Sequence, residues 1–224
     1  MASVKVWDVP TRLFHWGLVT VFIFQFVTGD ILDDAMQLHF YGGYVALGLL
    51  LFRIIWGVVG SYHARFTNFI YSPVTAIKYL QGKTDTQTYL GHNPLGGYSV
   101  LAILAVMLSQ AISGLFMTDD IFLDGPYHGA LGAAIDDLMN FIHHNAFLMM
   151  WGLIALHLCA IVFYTFKKQQ RLVPAMIHGN KPAGSESPPD VQTPWIRFLV
   201  CALITAVTIY LLVNVLAPEP EMLW

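Results

Sequence analysis

The chain has 224 residues, of which 56% are hydrophobic and 11% charged, and its mean hydropathy is +0.60. Because a soluble domain carries about twice this share of charged residues, the composition excludes an ordinary water-soluble enzyme and predicts a protein in contact with membrane lipid. The formal net charge of −3 gives no reason to expect a nucleic-acid partner.

Five apolar segments follow one another along the chain, and each approaches the roughly 20 residues that a helix needs to cross a bilayer core. They cover residues 13–28, 40–59, 98–116, 146–166 and 196–216. The first is not expected to be a cleaved signal sequence, because Trp7, Asp8 and Pro10 precede it and no small-x-small cleavage site follows it. The segments predict an all-α integral membrane protein, a four-helix transmembrane bundle with an additional C-terminal fifth transmembrane helix.

The connections between the segments divide the chain into three parts. Residues 1–168 are predicted to form the four-helix domain, 169–194 a flexible cytoplasmic linker, and 195–224 the fifth helix with a short external tail. Within the first part, the pattern predicts a short amphipathic helix at 73–80 and an acidic external loop at 118–140.

Charged residues are distributed very unevenly between the two sides of the predicted membrane. All 11 Lys and Arg fall on one side if the N-terminus is cytoplasmic. The connections on the other side contain no Lys or Arg and carry Asp30, Asp33, Asp34, Asp119, Asp120, Asp124, Asp136 and Asp137. The positive-inside rule therefore predicts a cytoplasmic N-terminus and an external C-terminus.

Four histidines lie within or at the ends of these segments, where a polar side chain is costly and commonly functional. His143 and His157 are 14 residues apart in one apolar stretch, residues 141–166, so in a helix they point within roughly 40° of each other and differ in height by roughly 21 Å. Topology pairs His39 with His143 on the outer side and His15 with His157 on the inner side. Each pair comes from two different helices, as axial ligation of a haem iron by two imidazoles requires.

Other roles for these histidines stay open at this point. A single intramembrane histidine is more often a packing residue than a ligand, and a proton relay would favour acidic residues, which the five segments lack. One zinc site cannot use both pairs, since zinc gathers its ligands within a few ångströms. His144 competes with His143, although it points roughly 140° away from His157. Cys159 and Cys201 both lie inside predicted spans, so a disulfide between them is not expected. No C-x-x-C-H motif is present, so a covalent c-type haem is not expected either.

Four stretches of the chain resemble a known family. They are VWDVPTRLFHW, LHFYGGYVALGLLLFRIIWGVVGSYHARF, GHNPLGGYSVLAIL and HNAFLMMWGLIALH. Together they resemble the bacterial di-haem cytochrome b561 family, which includes the b-type cytochrome subunits of nickel-iron hydrogenases, and the resemblance covers residues 4–168. It implies a four-helix bundle in the bacterial cytoplasmic (inner) membrane that holds two non-covalent haems b. The ligand positions fall on His15, His39, His143 and His157.

Haem carries two propionates, and carboxylates at a membrane interface favour guanidinium partners. Arg12 precedes His15 by three residues and so shares its helical face, and Arg53 follows His39 by 14 residues, at the height of the inner haem. Arg65, in GSYHARF, is a third candidate. The alternatives are a topology-setting charge at Arg12 and a loop-packing role at Arg65.

Three functions are compatible with these features, and none assigns a catalytic side chain. The first is an electron-transfer subunit between quinone or quinol and a partner redox protein, such as a periplasmic c-type cytochrome or a hydrogenase-like subunit. The second is an autonomous quinone-linked oxidoreductase that acts on a small external substrate such as superoxide or ferric ion. The third is a non-redox membrane anchor. The acidic external connections favour a basic partner.

Overall fold

The computed structural model describes residues 3–84, 89–182 and 192–218, and these are mostly helical. In chain order the elements are β1 (Ser3–Lys5), α1 (Val9–Phe26), α2 (Met36–Val59), α3 (Pro73–Leu80), α4 (Pro94–Ser113), α5 (Ala133–Phe166), α6 (Leu172–His178), β2 (Asn180–Pro182) and α7 (Trp195–Asn214). The amphipathic helix predicted at 73–80 is confirmed as α3.

Five helices are long and apolar enough to cross a membrane, which confirms the five predicted spans. They are Val9–Ile31, Met36–Val59, Pro94–Phe116, Ala133–Phe166 and Trp195–Asn214, where the first and third include short extensions of α1 and α4. The extension of α1 is a π-helical turn, Val27–Ile31, and that of α4 is a 3₁₀ turn, Gly114–Phe116. The chain is therefore a helical multi-pass membrane protein.

The helix α5 begins 13 residues before the predicted start of the fourth span, so the predicted external loop is helical from Ala133 onward. Gly132, with a φ of 85°, lies immediately before the helix. Asp136 stands in the first turn, where a negative charge stabilises a helix N-terminus, and its Oδ2 accepts a hydrogen bond from the backbone N–H of Gly129 at 3.0 Å. Because these residues are polar, hydropathy alone did not predict that the helix begins here.

The chain forms two compact units, and all five long helices contribute to both of them. The first unit comprises Met1–Trp16, Arg53–Leu104 and Trp151–Cys201, and the second comprises Gly17–Phe52, Ala105–Met150 and Ala202–Trp224. All 11 Lys and Arg belong to the first unit. The eight aspartates of the predicted external connections belong to the second unit, which contains no Lys or Arg.

In the first unit, the described part of the predicted linker is ordered. The strand β2 pairs with β1 in antiparallel register, with Val4 opposite Lys181. Val6 and Trp7 pack with Ala175 of α6 in a small buried apolar cluster. The helix α6 and the strand β2 thus fold back on the N-terminal segment. Residues 183–191 of the predicted linker lie outside the described residues.

The fifth long helix, α7, packs against α2 within each unit. In the first unit, the rings of Trp56 and Phe198 are 6.4 Å apart in an edge-on arrangement. In the second unit, Gly48 faces Thr205 and Ile209, close enough that a Cβ at position 48 would touch Ile209 at 3.6 Å. The hydroxyl of Tyr127 also donates to the carbonyl of Leu212 at 2.9 Å. The helix α7 therefore has specific contacts of its own.

Asp8 fixes the N-terminus of α1 in the first unit. Its Oδ1 accepts a hydrogen bond from the backbone N–H of Thr11 at 2.8 Å, as an N-cap residue does. Its Oδ2 accepts a second bond from the indole Nε1–H of Trp56 at 3.0 Å. Asp8 and Trp56 are 1% and 0% exposed, so this carboxylate joins α1 to α2 inside the protein.

Replacing Asp8 with Ala should lower the free energy of unfolding by roughly 2–4 kcal/mol, because it removes a helix cap and an acceptor for a buried indole N–H. Thermal unfolding in detergent, followed by circular dichroism, measures the loss. The matched control is Asp33→Ala, since Asp33 is exposed and should change the midpoint little. Equal midpoints for the two variants would contradict this role of Asp8.

Candidate functional site

His39, near the start of α2, and His143, within α5, face each other in the second unit. Their ring centres are 6.4 Å apart and their planes meet at 77°. A transition metal binds an imidazole nitrogen at about 2.0–2.1 Å, so two imidazoles on opposite sides of one metal ion have ring centres roughly 6.3 Å apart. The observed separation therefore fits a single metal ion held between the two rings.

Hydrogen bonds fix which nitrogen of each ring is free. Nδ1 of His39 lies 3.1 Å from the carbonyl oxygen of Gln25, and Nδ1 of His143 lies 3.1 Å from that of Gln110. A carbonyl can only accept, so each Nδ1 carries the hydrogen and donates it. Each Nε2 is left with a lone pair, which is the form that a metal ligand needs.

A cavity of about 660 Å³ lies within the second unit, and both imidazoles line it. This volume is within the range of about 300–1,000 Å³ found for ligand and cofactor pockets. Apolar side chains such as Phe22, Phe40 and Leu50 form much of its wall, while Asp30 and Asp136 also line it. A planar metal macrocycle ligated from both faces needs such a cavity, and these residues fit it.

The structure separates His143 from its neighbour His144. His144 is exposed, and its Nδ1 donates to the carbonyl of Asn140 in its own helix at 2.9 Å. His144 also lines the cavity, but the contacts with α4 and the close approach to His39 belong to His143. The geometry thus favours His143, in agreement with the helical-wheel argument.

The second predicted pair lies in the first unit. His15 on α1 and His157 on α5 are close enough for their charges to interact. Nδ1 of His15 is buried and has no hydrogen-bond partner among the described residues, and its ring packs edge-on against Trp16 with centres 5.0 Å apart. The ring of His15 is therefore buried without the Nδ1 acceptor that His39 and His143 each have among the described residues.

Arg53 is the most deeply buried cation of the three predicted propionate ligands. It is 2% exposed, and its guanidinium carbon lies 4.8 Å from the ring centre of Phe66 and 5.8 Å from that of Phe69. Its NH1 is buried and unpartnered among the described residues. Since a buried charge is costly without a partner, this nitrogen fits a carboxylate ligand such as a propionate.

Three further nitrogens in the first unit are buried and unpartnered among the described residues: Nε of Arg65, Nε2 of His63 and Nδ1 of His92. Burial, followed by the positive charges of Arg53 and Lys181, lowers the pKa of His92 to about 3, so this ring is neutral at pH 7. Because the Nε of Arg65 has no partner among the described residues, Arg65 keeps the unsatisfied hydrogen-bonding capacity expected of a residue that binds an anion.

Arg12, the third predicted propionate ligand, also contacts α6. Its NH1 donates to the backbone carbonyl of Ile177 in the last turn of α6, where a cation stabilises a helix C-terminus. Its Nε is buried and unpartnered among the described residues. Arg12 thus ties α6 to α1, and one nitrogen remains for another acceptor.

Sequence patterns gave no special role to His92 and Lys181. Trp7 packs on both of them, with the His92 ring centre at 4.7 Å and Nζ of Lys181 at 5.5 Å from the Trp7 ring. Nζ of Lys181 donates to the carbonyl of Leu90 at 2.7 Å, and burial lowers the pKa of this lysine to about 8. The motif GHNPLGG, which spans the start of α4, was the available signal for His92.

Metal ions that need larger ligand sets find no site in the part of the chain that the structure describes. There, no three His, Cys, Asp or Glu side chains come together in a group that could hold an ion. Structural zinc uses four such ligands. The pairwise arrangement of histidines is instead the one that a haem iron uses, since the macrocycle supplies the other ligands.

Comparisons with known proteins agree with this chemistry. A family model described as prokaryotic cytochrome b561 matches residues 6–179. A probable Ni/Fe-hydrogenase B-type cytochrome subunit of Bradyrhizobium diazoefficiens is 23% identical over 214 residues, which cover 80% of this chain and 86% of that protein. A protein of the same description from Rhodobacter capsulatus is 22% identical over 222 residues, with coverages of 80% and 81%. No solved structure matches the chain significantly.

The contrast between His143 and His144 gives a direct test. His143→Ala should abolish binding of one b-type haem, because it removes the imidazole that faces His39. His144→Ala, at the adjacent position, is the matched control and should retain the full haem content. Pyridine haemochrome analysis of the purified variants measures the haem content per chain. Loss of haem only in the His144 variant would overturn the assignment.

Proposed function

Because the chain belongs to the prokaryotic cytochrome b561 family, we propose that it carries electrons across the bacterial inner membrane through two haems b. The electrons pass between the quinone pool and a partner redox protein. Membrane electron transfer by a b-type cytochrome follows from the family itself. One observation supports the proposed haem ligation most strongly. The ring centres of His39 and His143 are 6.4 Å apart, and the Nδ1–H of each ring donates to a backbone carbonyl.

In this proposal His39 and His143 hold the outer haem, and His15 and His157 hold the inner haem. When bound, each haem supplies an iron centre that takes up or releases one electron. The chain's own residues bind and orient the group and exclude water from it. Arg53 and Arg65 keep unpartnered nitrogens that can bind carboxylates, and so does Nε of Arg12.

The helix α5 supports a route through the membrane, since it carries one ligand of each pair. His143 and His157 are 14 residues apart in this helix, which corresponds to a rise of roughly 21 Å. Two redox centres held at these positions would cover most of a hydrocarbon core of about 30 Å. One uninterrupted helix would thus fix the spacing of both haems.

The distribution of charge supports the orientation. All 11 Lys and Arg belong to the first unit, which contains His15 and His157. By the positive-inside rule this unit faces the cytoplasm, and the second unit, with His39 and His143, faces the periplasm. The N-terminus is then cytoplasmic and the C-terminus periplasmic.

The partner is inferred from charge and from the relatives. Several relatives are described as probable subunits of a Ni/Fe-hydrogenase, which supports a hydrogenase-like redox partner. The second unit carries aspartates and no Lys or Arg, so a basic periplasmic protein such as a c-type cytochrome would also be attracted to it. An autonomous oxidoreductase would differ in that the purified chain alone would turn over.

The purified chain should contain two haems b, and His157→Ala should contain one, because only the inner pair loses a ligand. The matched control His178→Ala changes an exposed histidine outside both pairs and should keep two. Pyridine haemochrome analysis with a reduced-minus-oxidised spectrum measures both quantities. Two haems with unchanged spectra in the His157 variant would refute its role, and absence of haem from the native chain would refute the proposed function.

Electron transfer to or from a basic c-type cytochrome should slow as ionic strength rises, because exposed charges are screened beyond about 10 Å at 0.1 M salt. Neutralising the exposed residues Asp33, Asp34, Asp120 and Asp124 to Asn should weaken this dependence. The control variant replaces the exposed residues Lys167 and Lys168 of the first unit with Gln. It should leave the salt dependence of the rate unchanged. Stopped-flow absorbance measures the rates, and a rate independent of salt would exclude the aspartates as the docking surface.

A further inference from the structure

The same five-residue pattern occurs twice in the second unit. Gln25–Gly29 reads QFVTG and Gln110–Gly114 reads QAISG, so both have the form Gln-x-x-Ser/Thr-Gly. The first spans the end of α1 and its π-helical turn, and the second spans the end of α4 and its 3₁₀ turn. Each pattern contacts one histidine of the outer pair. The repeat is too short to stand out in the sequence alone.

The hydroxyl groups of the two patterns lie beside the two imidazoles. Oγ1 of Thr28 is 3.4 Å from Nδ1 of His39, and Oγ of Ser113 is 3.1 Å from Nδ1 of His143. Each hydroxyl donates its own hydrogen to a backbone carbonyl, at 2.8 Å to Phe24 and at 3.0 Å to Gln110. Its lone pairs are therefore free to accept from the Nδ1–H of the histidine.

These contacts are inaccessible to water, and the glycines make room for them. Ser113 is 0% exposed and Thr28 is 2% exposed. A Cβ at Gly29 would lie 2.6 Å from Nδ1 of His39, and a Cβ at Gly114 would lie 3.2 Å from Cε1 of His143. The glycines thus allow each ring to approach the backbone that bonds it.

We propose that the two Gln-x-x-Ser/Thr-Gly patterns are positioning elements that orient both imidazoles of the outer haem and lower its reduction potential. The inference rests on the proposed function, in which His39 and His143 are its ligands. A hydrogen bond from Nδ1–H to an acceptor raises the basicity of Nε2, so the ring donates more strongly to the metal. Stronger donation stabilises the oxidised iron.

The inner pair gives an internal reference. Nδ1 of His15 is buried without a hydrogen-bond partner among the described residues, so no hydroxyl or carbonyl in that part of the chain acts on it. Removing the hydroxyls of Thr28 and Ser113 should therefore change only one of two haem potentials. A general structural disturbance would not discriminate between the two haems in this way.

The test is a spectroscopic redox titration of the purified full chain with Thr28→Val or Ser113→Ala. Each variant should keep two haems and shift one of two one-electron components upward. The expected change is threefold to tenfold in the reduced-to-oxidised ratio at a fixed ambient potential, or about 30 to 59 mV at 59 mV per tenfold. The matched control is Ser109→Ala, because Ser109 lies in the same helix and bonds only its own backbone, at Ala105.

Unchanged potentials, or equal shifts of both components, would overturn the proposal. If Thr28→Val loses the outer haem, Thr28→Ser decides, because serine keeps the hydroxyl. Retention of haem and potential in Thr28→Ser supports the proposal, and loss of haem in both variants overturns it. Failure of the proposed function is distinguishable, since the native chain would then bind no haem or would keep two in His143→Ala.

Discussion

The bonds from Nδ1 of His39 and His143 to the carbonyls of Gln25 and Gln110 are the constraint on which the candidate site depends. A backbone carbonyl oxygen has two lone pairs, so it can accept a hydrogen bond from an imidazole in addition to another hydrogen bond. Both glutamines lie in the last turn of their helix, directly before a change to π-helical or 3₁₀ geometry. The ends of α1 and α4 thereby supply one carbonyl acceptor to each imidazole.

Much of the site follows from sequence spacing, because a membrane helix has few degrees of freedom. The 14-residue separation of His143 and His157, together with topology, is enough to pair four histidines across helices. His143 and His144 differ more subtly, since their distinction depends on a carbonyl and a hydroxyl of α4. Such contacts are set by how the helices pack, which hydropathy and periodicity do not encode.

The parts that sequence reasoning missed are polar groups used locally. Asp136 lies in the first turn of α5, inside a segment that its charge assigned to a loop. The stretch predicted as a linker forms α6 and β2 because it pairs with β1 and because Arg12 bonds the carbonyl of Ile177. Charged side chains usually indicate a solvent-exposed connection. Here Asp136 stabilises the N-terminus of α5, and Arg12 stabilises the C-terminus of α6.

The two units differ in how the nitrogens of their candidate ligands are bonded. In the second unit the Nδ1 atoms of the outer histidines are fully bonded to the chain, so only Nε2 is left to act on a bound group. In the first unit Arg53 and Arg65 keep buried nitrogens unpartnered among the described residues. A buried guanidinium group without a partner is costly, so these two residues favour an anionic ligand. Under the proposed function, the Nε2 atoms of the outer histidines would bind the iron of one haem, and the guanidinium groups of the first unit would bind propionates of the other.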